Sequence, residues 1–178
     1  MDKNPSIFQL RYSTIDPYVD DLIQILDALN VNRCAFIAHS AFAMVGILAS
    51  THCPYRFTKL VLFGASPRYV NDNGYNGRIE ILDMVHVFQA MELNYRAWVY
   101  GFTSQANGAN MPEAIQDFTQ TLYEMARDLS VPLSSAEYLR QHLGRRTTLE
   151  NLKTKGHLPY LTAPVLLSPA IWRALRRP

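Results

Sequence analysis

The stretch Cys34-Ala35-Phe36-Ile37-Ala38-His39-Ser40-Ala41-Phe42 decides the fold. Its first five residues form an apolar run too short for a helix, and read as a buried strand. Helix-compatible sequence resumes at Ala41 and continues to about His52. His39-Ser40 is therefore a turn between a strand and a helix. Upstream, Ile15, Tyr18, Val19, Leu22, Ile25, Leu26 and Leu29 recur at helical spacing, with Asp16, Asp20, Asp21, Gln24 and Asp27 opposite. Thr14 is placed to cap that helix, and Asn30 tolerates the left-handed geometry that ends one. A second buried strand is expected at residues 59–63, before Gly64-Ala65-Ser66-Pro67. Helix, strand, helix, strand is the alternation of a parallel sheet covered by helices, so the fold class is α/β.

Further along, the pattern changes. Residues 69–77 are polar and turn-forming, with Asn71, Asp72, Asn73, Gly74 and Gly77. Helical stripes follow with no strand between them. Ile81, Met84, Val85, Phe88, Met91 and Tyr95 form the first, and Ala97, Trp98 and Phe102 the second. The third, Ile115, Phe118, Leu122 and Met125, opens at Pro112. This helical block, about residues 75–126, reads as a lid inserted into a single domain spanning residues 1–178; ordinary core helices would give the same periodicity. Beyond it, Ser134 or Ser135 can cap a helix that runs to Leu143 and stops at Gly144. Residues 147–152 are a candidate strand. Thr162 can cap a last helix from Ala163 towards Arg176, which Pro169 should break or bend.

The chain has 178 residues, 48% of them hydrophobic and 18% charged, which excludes a disordered or collagenous polymer. No apolar run reaches the roughly 20 residues of a membrane span, and Met1-Asp2-Lys3-Asn4-Pro5 lacks a signal-peptide pattern. A soluble intracellular protein is expected, with no membrane partner. The net charge is only +2, and the basic residues Arg145, Arg146, Arg173, Arg176 and Arg177 form no nucleic-acid face. Cys34 and Cys53 lack metal-ligand spacing and read as buried free thiols. Neither a metal nor a cofactor is expected.

Three residues in loops can carry chemistry: Ser40, Asp128 and His157. Their order along the chain is that of α/β-hydrolases. Ser40 lies where a nucleophile elbow would lift its hydroxyl above the sheet, with the Ala41 N–H facing a developing oxyanion. His157 would accept the Ser40 proton, and Asp128 would orient and stabilise the imidazole. A serine after a strand is more often an ordinary helix cap. The elbow also departs from Gly-x-Ser-x-Gly, because Phe42 stands where a small residue is expected, and crowding there would cost about 1–3 kcal/mol.

The string YSTIDPYVDDLIQILDALNVNRCAFIAHSAFAMVGILAS at residues 12–50 resembles the plant strigolactone receptor-hydrolases, the DWARF-fourteen group, and the related karrikin receptors. FTKLVLFGASPRYVNDNGYNG, MELNYRAWVYGF, ARDLSVPLSSAEYLRQHLG and KTKGHLPYLTAPVLL extend the resemblance over almost the whole chain. It implies slow hydrolysis of an enol-ether-linked butenolide by Ser40, Asp128 and His157, with a fragment captured on His157. It also implies a ligand pocket at Tyr69, Val87, Trp98, Phe102 and Leu129. The implied partners are an F-box protein and repressor proteins, in cytoplasm and nucleus. Two departures follow. No His-Gly, the family's source of the second oxyanion-hole N–H, occurs in these 178 residues. Met125 also runs directly into Ala126-Arg127-Asp128, where the family has a further lid helix and core strand, a gap of roughly 30 residues. The expected architecture is thus an incomplete α/β-hydrolase fold, a small and mostly parallel sheet with a helical lid insertion. Turnover below that of a complete relative is expected. A non-catalytic signalling or interference module and a general carboxylesterase are the alternatives.

Overall fold

The computed structural model describes residues 11–77, 79–107, 112–125, 133–144, 146–153 and 158–177. They fall into two compact units, Met1–Ala65 and Ser66–Pro178.

In the first unit, helix α1 (Asp16–Ala28) leads through Asn30, at φ 54°, to strand β1 (Cys34–His39). Helix α2 (Ala41–His52), a 3₁₀ turn (Pro54–Arg56) and strand β2 (Phe57–Phe63) follow. β1 and β2 pair in parallel, as the helix between them requires. The register slips after Cys34, which faces Phe57, whereas Ala35 faces Lys59. Thr58 is the extra residue of this bulge, and its hydroxyl donates to the Cys34 carbonyl at 2.9 Å. Val19 of α1 meets Val45 and Ala49 of α2 in the core, with Ile15, Leu22, Ile23, Leu48 and Phe57 around them. Burial alternates along β1: Phe36 and Ala38 turn inward, whereas Ile37 remains 44% exposed on the opposite face. Gly46 is required where α2 crosses β1, because a Cβ there would lie 2.4 Å from the Phe36 ring.

Several sequence expectations change at this level. The N-cap of α1 is Ile15, and the Thr14 hydroxyl instead approaches Asp16 Oδ2 at 3.4 Å. Phe42 does not crowd the Ser40 turn. It is 58% exposed, with its ring edge-on to Tyr18 at 6.3 Å. Cys34 and Cys53 are free thiols but only half-buried.

The second unit opens with a loop closed by the bridges Val70–Ile79 and Asp72–Tyr75. Arg68 pairs with Asp72. That bond, helped by the Asn73 N–H at 2.8 Å, holds the Asp72 carboxyl below its usual pKa. Helix α3 (Ile81–Asn107) carries the first two apolar stripes and breaks at Asn94, one residue before Tyr95, the last residue of the first stripe; the Asn94 backbone is extended (φ −157°, ψ 87°). The Asn94 side chain accepts the Ala97 N–H at 3.1 Å, so one asparagine ends the first segment and caps the second. The start of the first stripe stays open, with Ile81 67%, Val85 46% and Phe88 53% exposed, whereas Met91 further along it is buried. α4 (Glu113–Met125) packs against α3, with Thr119 buried and Phe118 half-exposed.

Helix α5 (Leu133–His142) ends near Gly144, at φ 96°. Its serines are drawn into tertiary bonds rather than helix caps. Ser134 donates to the Asn76 carbonyl at 2.9 Å. Ser135, fully buried, lies 3.1 Å from the Ser66 hydroxyl and 2.9 Å from the Tyr75 hydroxyl, and the latter two share the Arg68 carbonyl at 2.8 Å each. This closed group ties α5 to the 66–77 loop. Ser135→Val should therefore remove the hydroxyl that Ser66 and Tyr75 both contact, leaving those two with the Arg68 carbonyl and each other, and lower unfolding free energy by about 1 kcal/mol, read by urea denaturation.

Residues 147–152 do not form a strand. A strand exists only as half of a ladder, and among the described residues the sheet contains β1 and β2 alone. Short helix α6 (Pro159–Thr162) and helix α7 (Pro164–Arg176) complete the unit. α7 is capped by Ala163, while the Thr162 hydroxyl donates to Leu158 O at 3.2 Å. It passes through Pro169 unbroken, because the residue whose carbonyl loses its partner, Val165, is 79% exposed and water can replace the bond. Arg173 and Arg177 both pair with Glu150. No described helix is long and apolar enough to cross a membrane.

Candidate active site

β1 ends in His39, whose ring stacks on Phe63, its register partner on β2, with centroids 5.1 Å apart. The Ser40 N–H donates to the Phe63 carbonyl at 3.0 Å, extending the ladder one residue past the strand, and the Ser40 carbonyl accepts the Ala43 N–H at 3.0 Å as α2 begins. Satisfying both within one residue forces a sharp reversal. Ser40 sits at φ 56°, ψ −128°, left-handed backbone that a side chain disfavours by about 1–3 kcal/mol. Its side chain makes no capping bond to α2, and the residue is 6% exposed. A helix-capping serine adopts extended backbone and bonds the first-turn amides; this one does neither. It has the strained strand-to-helix geometry of a nucleophile elbow. Ala41 opens α2, so its N–H belongs to the first-turn amides that have no intrahelical acceptor and point towards added negative charge.

Asp128, Leu129 and His157 lie outside the described residues. Of the expected pocket residues, Tyr69, Val87, Trp98 and Phe102 are all half-buried in the second unit. Tyr69 lies in the bridged loop, and its carbonyl accepts the Ile79 N–H at 3.2 Å. Trp98 and Phe102, one helical turn apart, stack at 4.9 Å and 11°. Tyr95, which was not among the expected pocket residues, continues the stack on Trp98 at 5.9 Å. Its i, i+3 spacing from Trp98 was the available signal. This aromatic ladder packs on a core of Val99 and Leu158, the residue after His157. Among the described residues no three His, Cys, Asp or Glu side chains are grouped to hold a metal.

No protein-family model matches the chain. It is 45% identical to strigolactone esterase D14 of Arabidopsis thaliana, over 98% of its own length and 78% of the relative's. It is 37% identical to the karrikin insensitive 2 receptor CA of Petunia hybrida, over 96% and 76%. The chain belongs to the strigolactone esterase and karrikin receptor family. The Arabidopsis alignment spans 208 residues against 178 in this chain, so at least 30 residues of that family member have no counterpart here. Among solved structures, a hydrolase from Oleispira antarctica superposes with a TM-score of 0.83 over 97% of this chain and 76% of that one, at 22% identity. An esterase from Exiguobacterium antarcticum gives 0.81 over 92% and 74%, at 14%. The family's α/β-hydrolase fold is thus shared.

Proposed function

We propose that this protein is a butenolide-hydrolysing hormone receptor in which Ser40 is the nucleophile. The observation that carries the reading is the Ser40 backbone, strained and without a capping bond at the carboxyl end of a parallel strand, where α/β sheets bind ligands. The family relationship supports the rest. Ser40 Oγ attacks the butenolide carbonyl carbon and passes its proton to His157; Asp128 steadies the imidazolium; the Ala41 N–H bonds the oxyanion. Collapse of the tetrahedral intermediate breaks the lactone C–O bond and leaves an acyl group on Ser40. The freed ring oxygen, now a hemiacetal alkoxide, closes to an aldehyde and expels the enolate, which takes the proton held by His157. The acyl fragment then passes to His157 or to water. Tyr69, Val87, Trp98, Phe102 and Leu129 line the ligand site in this reading. The signalling partners are an F-box protein and repressor proteins, met in cytoplasm and nucleus.

The test compares an enol-ether-linked butenolide with p-nitrophenyl acetate as substrates of the 178-residue chain. Preferential butenolide turnover is expected. Without a second oxyanion donor from a His-Gly segment, its rate should be at least about 100-fold below that of a complete relative. Equal or faster turnover of the simple ester would instead identify a general carboxylesterase. Butenolide binding with no turnover would identify a non-catalytic signalling module.

A further inference from the structure

Phe42, the residue that departs from the usual elbow pattern, holds an open position beside the nucleophile. It is the second residue of α2, two beyond Ser40 and so within about 7 Å of it along the chain. On the helix it shares one stripe with Val45, Gly46 and Ala49, at i, i+3, i+4 and i+7. Those three are buried, Val45 and Ala49 with Val19 of α1, and Gly46 against Phe36 of β1. Phe42 lies on the same side, one turn nearer the helix start, yet it is 58% exposed. Side chains of a helix lean towards its N-terminus. The stripe therefore carries the Phe42 ring past the end of the packed core, at the carboxyl end of β1, where Ser40 turns.

An ordered aromatic row leads to this ring. Tyr18, in the first turn of α1, meets Phe42 edge-on with centroids 6.3 Å apart, and Tyr12 meets Tyr18 at 4.9 Å. The far end of the row is fixed. The Tyr12 hydroxyl donates to Asp21 Oδ2 at 2.7 Å, Arg11 pairs with Asp21 Oδ1 at 2.9 Å, and the Arg11 guanidinium lies 5.2 Å over the Tyr12 ring. Exposure rises along the row, from half-buried Tyr12 to 38% at Tyr18 and 58% at Phe42. The ring nearest Ser40 is thus held by its neighbours and is the most open of the three. All of these residues belong to the first unit.

We infer that Phe42, backed by Tyr18, is a specificity-determining residue that stacks the enol-side group of the butenolide substrate. The inference rests on the butenolide-hydrolase reading above. In such a substrate the enol ether begins one lactone ring beyond the carbonyl carbon that Ser40 attacks. The enol-side group then falls within reach of a ring rooted two residues from Ser40. An exposed phenyl ring offers apolar area and a π surface, but no donor or acceptor. The group it selects is accordingly planar and apolar, an aryl or fused-ring enol in preference to a small alkyl one.

Two substrates test this, the same butenolide carrying either a naphthyl or a methyl enol-side group. The wild-type chain should favour the naphthyl compound in kcat/KM. Phe42→Ala should reduce that preference about tenfold, through KM rather than kcat. Phe42→Tyr should keep it, because the ring is retained. Tyr18→Ala, which removes the backing ring, should reduce it less. Both positions are exposed, and far-UV circular dichroism reports the fold of each variant. Calorimetric titration of the naphthyl compound into Ser40→Ala and into Ser40→Ala/Phe42→Ala separates binding from chemistry, and the double variant should bind about tenfold more weakly. Ser40-dependent turnover whose preference survives Phe42→Ala would overturn the inference and leave the hydrolase reading standing. So would Phe42→Ala slowing both substrates by the same factor, the mark of a residue that supports the turn. Phe42-dependent binding without turnover by the wild-type chain would support the stacking site and overturn the hydrolase reading. Neither binding nor turnover would overturn both.

Discussion

Ser40→Ala is expected to lower butenolide turnover at least about 10³-fold, since loss of the nucleophile removes the covalent route and leaves only residual electrostatic and binding effects. Ligand affinity should change little, because the pocket residues lie elsewhere in the chain. The turn itself supplies a second measurement. Ser40 holds φ at 56° through two backbone bonds, to Phe63 and Ala43, so the strain is in the backbone rather than the hydroxyl. Ser40→Ala keeps that strain. Ser40→Gly relieves it and should raise the unfolding free energy by about 1 kcal/mol relative to Ser40→Ala, while being equally inactive. Stability and activity would then move in opposite directions at one position, as expected where strain is held at a functional site. Retained turnover in both variants would remove Ser40 from the mechanism.

Much of the first unit was legible because its signals are local. Apolar residues at period 3.6 define α1, and the short run from Cys34 to Ala38 defines β1. The His39-Ser40 break between strand and helix places the sharp turn where the structure has it. Errors arose wherever a residue answered to distant partners. Residues 147–152 have strand-like composition, but pairing requires a neighbour that sequence periodicity cannot supply. Ser134 and Ser135 look like caps, and their hydroxyls instead serve Asn76, Ser66 and Tyr75, some sixty residues away in sequence. Phe42 looked too large for the elbow because the usual motif places a small residue there. The tight crossing lies one turn later, at Gly46 against Phe36. For the site, the strand-to-helix break put Ser40 at a sharp turn but did not tell a nucleophile from a helix cap; its order with Asp128 and His157 and the family likeness singled it out. Asp128 and His157 emerge from chain order and family likeness, since loop residues carry no periodic signal. The stack of Tyr95, Trp98 and Phe102 was visible only as helical spacing.

Three glycines of the second unit should respond to alanine with different signs, which tests the packing around Tyr69. Gly77 is buried, and a Cβ there would stand 2.6 Å from the carbonyl carbon and oxygen of Tyr69 and 2.6 Å from the Val70 oxygen. These are backbone atoms, fixed by the Ile79-to-Tyr69 and Asn71-to-Ile79 bonds of 3.2 and 2.8 Å, and they cannot rotate aside as a side chain would. Gly77→Ala should therefore reach the upper end of overpacking costs, about 3 kcal/mol. Gly74, two residues beyond Asp72 in the same loop, has φ 75° and open space around it. Gly74→Ala should cost only the left-handed backbone penalty, about 1 kcal/mol. Gly101 lies inside α3 with nothing near an added methyl group, so Gly101→Ala should stabilise by up to about 1 kcal/mol through helix propensity. Urea denaturation of the three variants gives the order Gly101→Ala, wild type, Gly74→Ala, Gly77→Ala from most to least stable. Because Gly77 presses on the peptide that carries Tyr69, Gly77→Ala should also weaken butenolide binding, while Gly74→Ala leaves it unchanged. If Gly77→Ala proves as mild as Gly74→Ala, the pinch of Gly77 against the Tyr69 and Val70 backbone does not hold the loop, and Tyr69 owes its position to something else.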